Sequence, residues 1–72
     1  MKNYHNYLRA EEIDWFWSFD QKTKTHKLIL THRPTKKFVT GEFIEKRGMK
    51  LSEKKHELKE QLHDELEDLV LE

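Results

Sequence analysis

The sequence predicts an α+β domain: a three-stranded antiparallel β-meander packed on one face by a C-terminal amphipathic α-helix (βββα). Three observations predict this fold. Polar and apolar residues alternate over residues 13–20, turn-forming residues separate the next two strand-like stretches, and leucines recur at helical spacing after residue 51. The 72 residues suffice for one small domain, with the sheet at about 13–45 and the helix at about 53–70.

The first strand is predicted from its period of two. Its alternate positions carry apolar residues that favour strands: Ile13, Trp15, Trp17 and Phe19. The residues between them are mostly polar, and Asp20–Lys24 has the composition of a turn. This segment therefore predicts a strand with one face buried, followed by a hairpin.

Two further strands are expected, at about 25–33 and about 36–45. Leu28 and Leu30 share one face of the second strand, which ends at Pro34 because proline cannot donate to a ladder. Gly41 interrupts the third strand and predicts a β-bulge there. The inward face of the third strand stays open at this point.

The helix is predicted from a leucine stripe. Five leucines fall within about 80° of arc at 100° per residue: Leu51, Leu58, Leu62, Leu66 and Leu69. Ser52 is the expected N-cap. Because one helix covers one side of the sheet, the other side should face solvent and carry Phe16, Ser18, Lys27, Ile29, Thr31 and Arg33. A short helix within residues 1–12, which include Tyr4, Tyr7 and Leu8, is also expected.

Charge is sorted along the chain although the net charge is zero. Residues 21–50 hold nine Lys/Arg and two acidic residues. Residues 51–72 hold three Lys/Arg and eight acidic residues. The middle therefore carries +7 and the tail −5. This pattern favours either an anion-binding surface or neutralisation of one segment by the other.

The basic middle, with its interleaved aromatics, predicts a nucleic-acid contact. Phosphates attract cations, and bases stack on flat apolar rings. The candidate residues are Phe16, Lys22, Lys24, Lys27, Arg33, Lys36 and Lys37. The alternative is an ordinary solvated sheet face, because lysines also protect sheet edges from aggregation.

The sequence predicts no enzyme, no cofactor and no metal. It has no cysteine, no Gly-rich phosphate loop and no Ser-His-Asp arrangement with supporting context. The best metal-ligand spacing is His56, Glu60 and His63, which share one arc of the helix with Glu67. That arc lies opposite the leucines, so it is expected to be a polar face in solvent.

Two segments resemble a known family. Residues 46–55 (Lys-Arg-Gly-Met-Lys-Leu-Ser-Glu-Lys-Lys) and 17–24 (Trp-Ser-Phe-Asp-Gln-Lys-Thr-Lys) are similar to the strand–helix junction and hairpin of AP2-like, integrase arm-binding DNA-binding domains. Met49 stands where that family typically has an aromatic residue. The resemblance implies a three-stranded sheet followed by a helix, with the sheet entering the DNA major groove. It would place DNA contacts at Lys22, Lys24, Lys27, Arg33, Lys36 and Lys37.

The sequence thus favours a non-enzymatic binding module, of the phage or mobile-element regulator type, that contacts DNA or RNA through a basic sheet face. Two alternatives stay open. One is a protein-interaction module that uses the acidic helix face or the Tyr4/Tyr7 segment, and the other is a small homodimer of structural role. No apolar run approaches the roughly 18 residues of a membrane span, and no apolar signal core begins the chain. A cytoplasmic monomer or weak homodimer is therefore expected.

Overall fold

The computed structural model describes residues 8–71. A 3₁₀ turn at Ala10–Glu12 precedes three strands, and a long helix follows them. The elements are β1 (Ile13–Asp20), β2 (Thr25–His32), β3 (Lys37–Ile44) and α1 (Leu51–Leu71). Neighbouring strands pair antiparallel in the order β1-β2-β3, which confirms the predicted βββα fold. The Tyr4/Tyr7 segment and most of the predicted N-terminal helix lie outside the described residues.

The strand register sorts the side chains onto two faces. Trp15, Leu30 and Val39 align across the three strands, and so do Trp17, Leu28 and Gly41. These rows face α1, and we call this side the helix face. The alternate positions form the open face: Asp14, Phe16, Ser18 and Asp20 from β1; Thr25, Lys27, Ile29 and Thr31 from β2; Phe38, Thr40, Glu42 and Ile44 from β3.

The core lies between the helix face and α1. Its buried members are Leu8, Ile13, Leu28, Leu30, Leu62 and Leu66. Trp15, Trp17, Val39, Leu58 and Val70 pack against them and stay partly exposed. The leucine stripe therefore packs on the sheet of its own chain, because an amphipathic helix gains most of its stability from such burial.

Two lysines of α1 cover the indole rings at the margin of this core. Lys59 Nζ lies 4.3 Å from the Trp15 ring centroid, and Lys55 Nζ lies 5.3 Å from that of Trp17. Cation–π attraction and the aliphatic lysine stems both favour this arrangement. The tryptophans thus belong to the packing between sheet and helix.

Gly41 is in regular register, so the predicted β-bulge is wrong. It pairs with Leu28 in an uninterrupted ladder that runs from Thr25–Ile44 to His32–Lys37. Glycine is needed there for another reason: a β carbon at position 41 would lie 2.7 Å from Leu58 Cδ1 and 3.1 Å from Leu62 Cδ2. The missing side chain lets α1 approach the sheet closely.

The two ends of α1 differ from the prediction. The helix begins at Leu51, and the amide of Lys54 donates to the carbonyl of Lys50 at 3.1 Å. Ser52 is therefore its second residue, and the predicted N-cap is wrong. At the other end, the Lys37 ammonium donates to the carbonyl of Leu69 at 3.0 Å. The last turn of α1 has no basic residue of its own, so a strand supplies the cation there.

Two buried histidines lie on the helix face, near opposite ends of β2. His26 lies between the rings of Phe19 and Phe43, with centroids 4.5 and 4.9 Å away, and its Nε2 is 3.0 Å from Glu45 Oε1. At the other end of β2, the His32 ring contacts the Thr35 hydroxyl at 2.9 Å. Both rings satisfy the rule that buried polar groups find partners. Sequence reasoning gave neither histidine a role.

Candidate nucleic-acid interface

The open face presents two aromatic rings to solvent. Phe16 on β1 is 61% exposed and Phe38 on β3 is 58% exposed, whereas Ile29 between them is half-buried. Phe16 pairs with Ile29, and Phe38 pairs with the adjacent Thr31. The two rings thus flank β2 near the β2–β3 turn. Exposed rings on a flat sheet are the geometry on which unpaired bases stack.

The open face carries three carboxylates, Asp14, Asp20 and Glu42, against one ammonium group, so it is net acidic. Lys27 is its one cation, and it lies between Ser18 and Glu42 in a cross-strand row. Asp14 pairs with Arg33, whose Nη1 lies 3.4 Å from its Oδ1. Asp20 Oδ1 accepts a hydrogen bond from the backbone amide of Lys22 at 2.9 Å. The open face is therefore not basic as predicted, and Lys27 is the one predicted cation that the strand register places on it.

The unpaired cations gather instead at one end of the sheet. The β1–β2 turn and the β3–α1 loop meet there, because the Glu45 amide donates to the Lys24 carbonyl at 2.7 Å. Five exposed basic side chains belong to these two segments, and we call them the cationic end: Lys22, Lys24, Lys46, Arg47 and Lys50. Within residues 8–71 none of the five forms an ion pair with a carboxylate. The N-terminus of α1 also starts here and adds its positive dipole.

The opposite end of the sheet has fewer free cations. Arg33 is matched by Asp14, and Arg9 lies 3.8 Å from Glu11. Lys37 points to the helix side and is engaged by Leu69. Lys36, in the β2–β3 turn, is exposed. The predicted contact residues therefore lie in three places: on the open face, at the cationic end and at the opposite end of the sheet.

A polar hollow connects the aromatic half of the open face with the cationic end. It encloses about 220 Å³ and is lined by Ser18, Asp20, Thr23, Thr25, Lys27 and Glu42. Its hydroxyl groups and one ammonium can donate hydrogen bonds to phosphate oxygens, whereas the carboxylates of Asp20 and Glu42 repel them. Ile29, in the row of Phe16, and Thr25, at the β1–β2 turn, mark the two ends of this stretch. They are about 13 Å apart along β2 at 3.3 Å per residue.

Sequence reasoning missed three basic residues and one ring of this surface. Lys46, Arg47 and Lys50 belong to the basic middle of the sequence but are not among the predicted contact residues, and the sequence leaves open which face of its strand carries Phe38. The meander itself contains the missing signal. In an antiparallel βββ unit the first turn and the end of the third strand lie at the same end, so residues 20–25 and 44–50 must be neighbours.

The residues with the best metal-ligand spacing, His56, Glu60 and His63, do not form one cluster. His56 Nε2 contacts Glu60 Oε1 at 2.5 Å on an exposed stretch of α1. His63 instead faces Glu67, with 3.4 Å between Nδ1 and Oε1. The expectation that this whole arc faces solvent is wrong at Glu67, which is only 2% exposed. Glu67 is one position from Leu66, so the buried arc of α1 is at least 100° wider than the leucines indicate.

No protein-family model matches the chain, and no curated protein and no solved structure shows significant similarity to it. The resemblance to AP2-like domains therefore stays a prediction. Of the helices within residues 8–71, none is both long and apolar enough to cross a membrane.

Proposed function

We propose that this domain is a non-enzymatic module that binds single-stranded nucleic acid across the open face of its sheet. Phe16 and Phe38 would stack bases, and the cationic end would hold the phosphates that follow. The carrying observation is the pair of rings, 61% and 58% exposed, on the same face of the sheet. Phe16 is in the row next to that of Lys27, and Phe38 is two rows away from it. Exposed apolar side chains that share one face of a sheet are candidates for an interaction site.

Single strands fit this surface better than a duplex. The bases of a duplex are already stacked, whereas unpaired bases offer their faces to aromatic side chains. The cationic end lies at the β1–β2 turn, about 13 Å along β2 from the row of Phe16 at 3.3 Å per residue. The nucleic-acid backbone would therefore run from the rings past Asp20 and Glu42 to reach it. Glu42, opposite Lys27, weakens the attraction for phosphate in the middle of the face.

The direct test is fluorescence anisotropy with an end-labelled single strand of mixed sequence, as DNA and as RNA, and with the matching duplex. Binding should be strongest at low salt and favour the single strand. Phe16→Ala or Phe38→Ala should weaken binding roughly 5- to 150-fold, because one stacked base is worth about 1–3 kcal/mol.

Charge variants test the cationic end. The double variant Lys46→Gln/Lys50→Gln should lower the slope of log K against log salt by about 1.4, at about 0.7 per cation. The matched control Lys55→Gln/Lys59→Gln removes the same charge from α1 and should leave the slope nearly unchanged. Absence of binding at low salt, or phenylalanine variants that bind like the wild type, would rule the proposal out.

Self-association through the open face is the second candidate. The apolar Phe16, Phe38 and Ile44 are exposed there, and within residues 8–71 β1 and β3 each have one edge without a partner strand. A second copy could cover these rings by sheet-on-sheet packing. Sedimentation at two concentrations distinguishes the two: concentration-dependent mass that Phe16→Ala abolishes supports the dimer, and a strict monomer excludes it.

A further inference from the structure

A buried carboxylate lies on α1, away from the open face. Glu67 is 2% exposed, and its Oε2 has no hydrogen-bond partner among the described residues. A buried acceptor without a partner costs about 1–3 kcal/mol, and more when it is charged. Such a group in a native fold requires an explanation, and an absent ion is one of the established explanations.

Two further ligand groups stand next to this carboxylate. Glu67 follows His63 by four residues and Asp64 by three, so each of the two is one turn from Glu67 on the helix surface. One ligand atom from each lies within 4.8 Å of those of the other two. His63 is half-buried and Asp64 is exposed, so the cluster opens to solvent on one side.

We propose that His63, Asp64 and Glu67 bind a divalent transition-metal ion such as Zn²⁺. Zinc accepts imidazole nitrogen and carboxylate oxygen at about 2.0–2.2 Å, and two such ligands of a tetrahedral ion stand about 3.4 Å apart. The His63 Nδ1–Glu67 Oε1 separation is 3.4 Å. The unpartnered Oε2, bonded to the same carbon, would gain the cation that it lacks.

The ligand set defines the kind of ion and site. One imidazole with two carboxylates suits zinc and its neighbours better than Mg²⁺, which prefers an all-oxygen octahedron. Three protein ligands leave one tetrahedral position for water. The site is on the helix side of the molecule, so it is independent of the proposed nucleic-acid interface.

The neighbouring His56–Glu60 pair lacks these features. Both of its side chains are about two-thirds exposed, and no third ligand is grouped with them among the described residues. It provides a matched control on the same helix. His56, Glu60 and His63 line one shallow hollow of about 220 Å³ with Trp15 and Lys59, so the two candidate pairs share an approach from solvent.

The test is calorimetric titration of the untagged full chain with zinc chloride after dialysis against EDTA, with thermal unfolding measured in parallel. We expect one equivalent of Zn²⁺ to bind and the Tm to rise with zinc concentration. Millimolar Mg²⁺ should leave the Tm unchanged. His63→Ala and Glu67→Gln should each weaken zinc binding by at least about tenfold, since even an outer-shell change costs that much.

The controls His56→Ala and Glu60→Gln should bind zinc like the wild type. Should Glu67→Gln fail to fold, Asp64→Asn, on the exposed side, gives the same test without disturbing the core. The proposal is overturned if millimolar zinc neither binds nor shifts the Tm. It is equally overturned if zinc binding is lost in His56→Ala and kept in His63→Ala, because the ion would then belong to the other pair.

Discussion

Gly41 lies directly under Leu58. A β carbon on Gly41 would be 2.7 Å from Leu58 Cδ1, closer than nonbonded carbon atoms approach, and 3.1 Å from Leu62 Cδ2. The position is in the middle of β3, opposite Leu28. The absence of one side chain therefore determines how closely the helix and the sheet pack.

Gly41→Ala should destabilise the domain by about 1–3 kcal/mol, the usual cost of overpacking a core. Urea unfolding followed by circular dichroism measures this. The neighbouring Thr40→Ala, on the open face, is the control and should change stability far less. An alanine variant as stable as the wild type would mean that α1 can shift without loss.

Lys37→Met should lower the free energy of unfolding by about 1 kcal/mol. It removes the hydrogen bond from the ammonium to the Leu69 carbonyl and the favourable charge at the helix C-terminus, but keeps the aliphatic stem. Lys46→Met, on an exposed loop, should be nearly neutral in the same urea titration. Equal effects of the two substitutions would contradict a specific role for Lys37.

Lys24 and Lys36 adopt left-handed backbone conformations, with φ of 60° and 61°. A side chain in this region costs roughly 1–2 kcal/mol, which glycine avoids. At each of these positions the glycine variant should therefore be about 1 kcal/mol more stable than the alanine variant. At Lys22, which is outside this region, alanine should equal or exceed glycine, and the opposite order would refute the assignment.

Glu67→Met should stabilise the metal-free protein by about 1–3 kcal/mol, because an apolar side chain of similar volume removes the cost of burying the carboxylate. His63→Ala should destabilise it, since it leaves Glu67 with no partner among the described residues. Unfolding in urea with EDTA present compares the two. A less stable methionine variant would show that the carboxylate is satisfied in the native state.

Local sequence patterns predict the strands and the helix of this fold. The predictions that failed depend on contacts between residues that are distant in the sequence. The alternation at Trp15 and Trp17 and the leucine spacing at Leu62 and Leu66 fix strand and helix from neighbouring residues alone. The role of Gly41 depends on Leu58, which lies seventeen residues later on α1. Such close approach is invisible in the strand itself.

The candidate interface was predicted in part. Phe16 and Lys27 lie on the open face as expected, because period-two alternation determines the face of a strand. The summed charge of a segment does not determine where its side chains lie, and Lys37 is half-buried against the end of α1 instead of on the open face. The burial of Glu67 depends on the width of the covered arc, which helical periodicity does not define.

The placement of Lys59 over Trp15 and Lys55 over Trp17 provides an intrinsic optical probe. Both indoles of the chain lie on one strand beneath one helix, so emission reports on that single contact without any label. Lifting of α1 from the sheet would hydrate both rings at once and shift their fluorescence to longer wavelength. Undocking of the helix can thus be timed separately from the loss of helical circular dichroism.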